Sequence, residues 1–331
     1  MIIYRDFSLK EILYYKIGGK AKFVLKIENK KDLLQALEFV RENNIEKILP
    51  LGLGSNILLN DKFFDGAVLW FCKARHQTVP GKAEFSTIKI IKDNLIEAFA
   101  SESLDDLILF GFNHKLVGFE WAGGLPSTVG GAVRGNVGAF GGEISRSVDS
   151  IEVFEVRSDG EFIQKTLKAS DLEFSYRESL VKKHKNWIIG DSCFKLSNAD
   201  DNSLSRAKEI YFSHIEYRNK NHPMDYPSCG SVFKNITKKE MVEKIIDRWP
   251  DIKELVEKKW YHKASMGYVI NRLGFSGFRI GGAKVSEKHA NYIVNVDSAK
   301  FNDVYSIIEK IKDKFYKTFS FYPELEIEVV E

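Results

Sequence analysis

The stretch that decides the reading runs Gly118-Phe119-Glu120-Trp121-Ala122-Gly123-Gly124-Leu125-Pro126-Ser127-Thr128-Val129-Gly130-Gly131-Ala132, and continues through Asn136, Gly138 and Gly141-Gly142. Each such glycine would cost an ordinary helix about 1 kcal/mol relative to alanine. A purely structural segment has no reason to carry that cost. Close contact between bare backbone and a large flat or phosphorylated ligand explains it directly. Pro126 followed by Ser127-Thr128 reads as a helix start, whose unsatisfied N–H groups favour an anion.

Two further segments flank this one in the chain. Leu51-Gly52-Leu53-Gly54-Ser55-Asn56-Ile57-Leu58-Leu59 places two glycines after a strand, with Ser55 and Asn56 adding donors in a way that suits a diphosphate. It is not GxGxxG and no long patterned helix follows, which argues against a Rossmann assignment. A bare GxG is more often a tight turn. Pro227-Ser228-Cys229-Gly230-Ser231-Val232-Phe233-Lys234-Asn235 sets a serine after glycine and ahead of Lys and Asn. By spacing alone Ser231 reads first as a turn residue, with nucleophile or proton donor as alternatives. GxSxG and GxxxxGK[ST] are both absent.

The chain has 331 residues, 44% hydrophobic and 29% charged, which predicts two or three domains with substantial cores. Mean hydropathy is −0.24, no uninterrupted apolar run reaches bilayer length, and the charged start Met1-Ile2-Ile3-Tyr4-Arg5-Asp6 lacks a secretory h-region. A cytoplasmic protein without membrane association is expected. The balance of 49 Lys+Arg against 46 Asp+Glu falls short of a dedicated nucleic-acid binder. Cys72, Cys193 and Cys229 have no CxxC spacing, and the seven histidines lack HExxH, so no metal site is expected.

Periodicity predicts strands at Ala21–Glu28, Glu46–Leu51 and Ala67–Phe71 around a helix over Lys30–Glu42. Further strands are predicted at Ser86–Ile91, Ile151–Val156 and Phe162–Leu167, the last two joined by the turn Ser158-Asp159-Gly160. Asp200–Arg206 reads as linker or helix. Helices follow at Glu240–Trp249, Met266–Leu273 and Phe301–Phe315, with a strand at His289–Val296. A final strand starts after Pro323, with Leu325, Ile327 and Val329 on one face and Glu324, Glu326 and Glu328 on the other.

In this order, the segments resemble the UDP-N-acetylenolpyruvoylglucosamine reductase family, also called UDP-N-acetylmuramate dehydrogenases, which act in peptidoglycan precursor synthesis. Tyr15-Lys16-Ile17-Gly18-Gly19, Leu51 to Asn56, Leu125 to Glu143, Pro227 to Asn235 and Arg279 to Asn291 carry the resemblance. It spans roughly Tyr14 to Glu328, and the short path from Arg177 to Ser231 is similar to the type lacking an extra substrate-domain loop. The resemblance implies an α+β protein: a two-part FAD-binding fold of the vanillyl-alcohol-oxidase/p-cresol-methylhydroxylase type plus a C-terminal α+β substrate-binding domain. The expected division is 1–72, 73–199 and 200–317, with 318–331 returning to the active site. A monomer acting on a small sugar nucleotide is expected.

Residue by residue, the resemblance implies catalytic roles for Arg177, Ser231 and Glu324, with Glu326 in reserve. It implies non-covalent FAD on Gly52, Gly54, Ser55, Asn56, Pro126, Ser127, Thr128, Gly130, Gly131, Asn136 and Gly138, and substrate contacts from Tyr176, Lys234 and Asn235. NADPH is the implied reductant. The chemistry is coherent: reducing an enol ether conjugated to a carboxylate needs hydride at one carbon and a proton at its neighbour. The chain departs from the family's pattern at Ser127, His222, Ile236 and Tyr268. Those departures keep open a flavin oxidoreductase of the same fold acting on another substrate. A degenerate flavoprotein kept as a scaffold is a further rival.

Overall fold

A computed structural model describes residues 1–73 and 87–331. Within them the chain divides into two compact units. The first comprises Met1–Phe7, Lys20–Leu53 and Phe63–Arg218; the second comprises Ser8–Gly19, Gly54–Lys62 and Asn219–Glu331.

The first unit is built on a four-stranded and a five-stranded sheet. In one, the strands run in the order Ile2–Ser8, Lys20–Ile27, Phe64–Phe71, Ile48–Leu51. Lys20–Ile27 and Ile48–Leu51 both pair parallel with Phe64–Phe71, and parallel neighbours require a crossover. The helix Lys30–Glu42 provides it, with bounds that match the predicted ones. Its Asn29 cap accepts from Asp32 N–H at 3.0 Å, and Leu33, Ala36, Leu37 and Val40 form its buried stripe. The other sheet is antiparallel, in the order Phe162–Lys168, Val148–Val156, Trp187–Lys195, Leu95–Phe99, Ile88–Lys92. Ser86, where one of these strands was expected to start, lies outside the described residues. The predicted polar piece Asp200–Arg206 opens a long helix, Asp201–Asn221.

The second unit is built on the helix Phe301–Phe319, which buries Phe301, Val304, Ile307, Ile308, Ile311, Phe315 and Phe319. The stripe continues one turn past the predicted end because Phe319 is buried, and Ser320 in the left-handed region stops the helix. A short sheet of Arg279–Ile280, Ala283–Val285 and Ile293–Asn295 shares its core. The strand predicted over His289–Val296 is confined to Ile293–Asn295. Its first half is a turn: Tyr292 N–H donates to His289 O at 2.9 Å, and Ser286 Oγ accepts from Lys288 and His289 N–H. The C-terminal strand is also shorter than predicted, with regular pairing only at Glu328–Val330, parallel to Ile57–Leu59. Ahead of it Leu325 makes a single antiparallel bridge to Phe233.

Candidate active site

In the first unit the two glycine loops meet. Gly52, Ala100, Thr128, Gly130, Gly131 and Arg134 line an open cleft, together with Phe71, Val181, Trp187, Ile188 and Ile189. The loops touch so closely that a Cβ on Gly52 would come 2.6 Å from Thr128 Oγ1, and one on Gly130 would come 2.8 Å from Ala100 Cβ. Bare backbone therefore forms one wall, and aromatic and aliphatic side chains supply much of the remainder. That combination fits a flat, largely apolar ring system with polar appendages.

The helix start at Pro126–Thr128 is real but works differently from the expectation. Thr128 caps the short helix Val129–Arg134, its Oγ1 accepting from Gly131 N–H at 3.2 Å. Val129 N–H donates to Glu102 O at 2.8 Å and Gly130 N–H to Ala100 O at 3.1 Å. These amides are engaged by the protein, so unsatisfied donors are not what this turn presents to an anion. What the glycines provide is the absence of side chains. Ser127 Oγ donates to Thr128 O at 2.9 Å, turning its hydroxyl inward on the loop.

Arg177 also lies in the first unit. Ser175 and Glu178 exchange both backbone hydrogen bonds, at 3.1 and 3.0 Å, leaving Tyr176 and Arg177 at the tip of a tight turn. Arg177 has φ +61°, a conformation that costs a non-glycine residue on the order of 1–3 kcal/mol and persists only where neighbours enforce it. Those neighbours are visible. Asn136 Nδ2 donates to Ser175 O at 2.8 Å, and Lys182 Nζ donates to Arg177 O at 2.8 Å. The guanidinium donates to Gly138 O and lies 5.0 Å from the Tyr176 ring centroid. A Cβ on Gly138 would sit 3.1 Å from Arg177 Nη1. Asn136 itself is buried, and its Oδ1 accepts from Ser145 N–H at 3.3 Å. Its amide thus organises the Arg177 turn.

The second unit gathers the remaining residues around one extended segment, Ser231–Lys234. Along one edge, Glu326 N–H donates to Val232 O at 2.8 Å and Lys234 N–H to Glu324 O at 2.9 Å. Lys234 Nζ stands 3.4 Å from Glu324 Oε2. Along the other edge, Ser231 bridges Tyr292 and Val232 N–H donates to Asn291 O at 2.8 Å. Gly230, at φ +77°, turns the chain into this segment, and its Cβ position is 4.0 Å from Ser55 O. Asn56 Nδ2 donates to Glu326 O at 3.2 Å, and its main-chain O accepts from Glu328 N–H at 3.0 Å. The loop Gly54–Asn56, the serine loop and the C-terminal acidic segment are therefore neighbours within this unit. Asn235 turns away: its Oδ1 accepts from Met266 N–H at 3.0 Å at the start of the helix Met266–Arg272. Gly54, at φ +67°, packs so that a Cβ would lie 2.7 Å from Leu13 Cδ2.

Sequence reasoning did not find the side-chain wall of the cleft, Trp187-Ile188-Ile189, nor the clamp by Asn291. The signal for the first was a β-branched, aromatic run; the second carries no local pattern. No helix among the described residues is long and apolar enough to cross a membrane. No cluster among them could hold a metal ion.

Residues 21–164 match a family model described as FAD binding domain, and residues 222–330 match one described as UDP-N-acetylenolpyruvoylglucosamine reductase, C-terminal domain. The UDP-N-acetylenolpyruvoylglucosamine reductase of Thermosipho melanesiensis is 32% identical over 316 residues, 95% of this chain and 91% of the relative. That of Clostridium beijerinckii is 31% identical over 325 residues, 97% of this chain and 91% of the relative. The crystal structure of the Thermus caldophilus enzyme superimposes with a TM-score of 0.71 at 24% identity, covering 100% of both chains, which shows the fold. With about a third of its residues identical along nearly its whole length, and an FAD-binding domain ahead of a reductase C-terminal domain, this oxidoreductase chain belongs to the UDP-N-acetylenolpyruvoylglucosamine reductase family.

Proposed function

We propose that this chain reduces the enolpyruvyl ether of UDP-N-acetylglucosamine to the lactyl ether of UDP-N-acetylmuramate, with FAD as bound cofactor and NADPH as reductant. The observation that carries the reading is the segment Ser231–Lys234, hydrogen-bonded along one edge to Glu324–Glu326. It sets a hydroxyl, an ammonium and a carboxylate on adjoining extended segments.

When bound, the flavin supplies the hydride. The residues of this chain supply what else the reaction needs. As hydride reaches one carbon of the enol ether, negative charge spreads onto the conjugated carboxylate. Arg177, always charged and fixed by Gly138 O and Tyr176, is assigned to that charge. Ser231 is assigned as proton donor to the neighbouring carbon. A serine hydroxyl is a weak acid, and the ammonium of Lys234 nearby in sequence favours the alkoxide it leaves. Glu324, paired with Lys234, is assigned to hydrogen-bond and orient the reacting group.

For the flavin, Gly52, Thr128, Gly130 and Gly131 are the residues that fit a holding role in the first unit. Covalent attachment is not part of the reading, since neither glycine loop contains His or Cys. Of the departures, Ile236 is buried and exchanges backbone hydrogen bonds with Ala264, so it serves the core. His222 accepts or donates at Tyr292 Oη, 3.1 Å away, beside the Ser231 bridge. That position gives the different-substrate reading its one specific support. Steady-state oxidation of NADPH tests the two: dependence on the enolpyruvyl sugar nucleotide supports the reductase, and indifference to it supports the alternative.

A further inference from the structure

Ser231 follows a left-handed glycine and precedes two peptides that need partners on both edges. The edge toward Glu324–Glu326 is filled by main chain. On the other edge main chain runs out, because Tyr292 N–H already donates to His289 O at 2.9 Å and Tyr292 O accepts from Ser286 N–H at 2.8 Å. Asn291 fills the gap with its side chain. Its Oδ1 accepts from Phe233 N–H at 3.0 Å and its Nδ2 donates to Phe233 O at 2.8 Å. Its own carbonyl takes Val232 N–H at 2.8 Å. One residue, buried at 3% exposure, thus fixes the main chain of both residues that follow Ser231.

We infer that Asn291 is a positioning residue for Ser231, its carboxamide standing in for the missing strand partner that holds the proton donor in register; this rests on the reductase reading of Ser231. Among neutral side chains only an amide offers a donor and an acceptor side by side in one plane, which is what a strand edge offers. Loss of that pin leaves Ser231 between a glycine hinge and an unsatisfied buried N–H and C=O pair. Unsatisfied buried groups are resolved by movement or water entry. A displacement of about 1 Å in a reacting group is enough to cost roughly a hundredfold in rate.

The test is a double-mutant cycle read on the two half-reactions of the FAD-loaded protein. Asn291→Ala is expected to leave NADPH-driven bleaching of the flavin unchanged and to slow reoxidation by the enolpyruvyl substrate about tenfold or more. Because Asn291 acts through Ser231, the double variant Ser231→Ala/Asn291→Ala is expected to reoxidise no more slowly than Ser231→Ala alone. Should Asn291→Ala not purify folded, Asn291→Asp, which keeps the volume and the acceptor for Phe233 N–H, enters the same cycle. Additive slowing in the double variant, equal slowing of both half-reactions, or wild-type reoxidation in the single variant overturns the inference while leaving the reductase reading intact. Unchanged reoxidation in Ser231→Ala overturns the reading of Ser231 itself, and the inference with it.

Discussion

Lys234 and Glu324 are joined twice, once by main chain, where Lys234 N–H donates to Glu324 O at 2.9 Å, and once by side chains, Nζ to Oε2 at 3.4 Å. The lysine side chain is 12% exposed and the glutamate 64%. Glu326, two residues on, is held through main chain: its N–H goes to Val232 O and its O accepts from Asn56 Nδ2. With the proposed role assigned to Glu324, Glu324→Gln is expected to impair substrate-dependent flavin reoxidation far more than Glu326→Gln, with FAD content unchanged in both. Stopped-flow absorbance of the two variants decides it. A crippled Glu326→Gln would move the assignment two residues along the chain.

Ser231→Ala separates proton delivery from hydride supply. NADPH-driven bleaching is expected to persist, while reoxidation by the enolpyruvyl substrate falls by about two or more orders of magnitude, the usual scale of general-acid catalysis. A variant in which both halves slow alike would make Ser231 a structural residue.

The glycines of the two loops should respond differently to substitution. At Gly131 a Cβ meets only Thr128 Oγ1 at 3.3 Å and Ser127 Oγ at 3.4 Å, and the residue lines the cleft. Gly131→Ala is expected to fold and keep FAD; Gly131→Leu is expected to fold and purify with little. Gly54→Val combines a left-handed φ with a collision at Leu13, so it should damage the second unit itself. Circular dichroism beside the flavin spectrum separates these outcomes. A yellow Gly131→Leu protein would contradict the cleft assignment.

Burial lowers the pKa of His289 below its ordinary 6.5. Its Nδ1 is 3.3 Å from Asn291 N, where an unprotonated ring nitrogen accepts the N–H, and a Cβ on Gly267 would crowd its Cε1 at 2.9 Å. A depressed folded pKa means the unfolded chain takes up the proton first. The contribution of His289 is thus full above 6.5 and declines as pH falls toward the lower folded value. Urea unfolding at about pH 8 and about pH 5 should show a smaller loss of stability in His289→Gln than in the wild type. An unchanged loss would assign the acid sensitivity elsewhere.

Elements with an uncrossed hydrophobic period were legible from sequence. Lys30–Glu42 and Phe301–Phe319 each show one apolar stripe and a polar back, and each lies where the stripe placed it. The helix Leu104–Asn113 was not, because its unburied face, Asp105, Asp106, Leu109 and Asn113, carries the apolar Leu109 in its middle, which blurs the period against the buried Leu104, Leu107, Ile108, Phe110 and Phe112. Only its Ser103 cap, accepting from Asp106 N–H at 3.0 Å, was a local sign. The strand Trp187–Lys195 was hidden by Gly190-Asp191-Ser192, which reads as a turn. In the sheet Gly190 makes room for the buried Phe154, whose Cε2 would lie 2.8 Å from a Cβ there.

At the site, the glycine loops and Ser231 could be singled out because their residue types are costly or reactive. Asn136, Asn235 and Asn291 could not be sorted from sequence. The same amide can hold a ligand, pin a turn or replace a strand, and only its partners tell which. Here those partners are Ser175 O, Met266 N–H and the Phe233 peptide groups.

The most direct measurement is a single turnover. The FAD-loaded protein is reduced with NADPH in the absence of oxygen, freed of excess reductant, and mixed with the enolpyruvyl ether of UDP-N-acetylglucosamine. The predicted result is rapid return of the oxidised flavin spectrum with one lactyl product formed per flavin, in the wild type and not in Ser231→Ala. A reduced flavin that stays bleached in the presence of that substrate would contradict the reductase assignment.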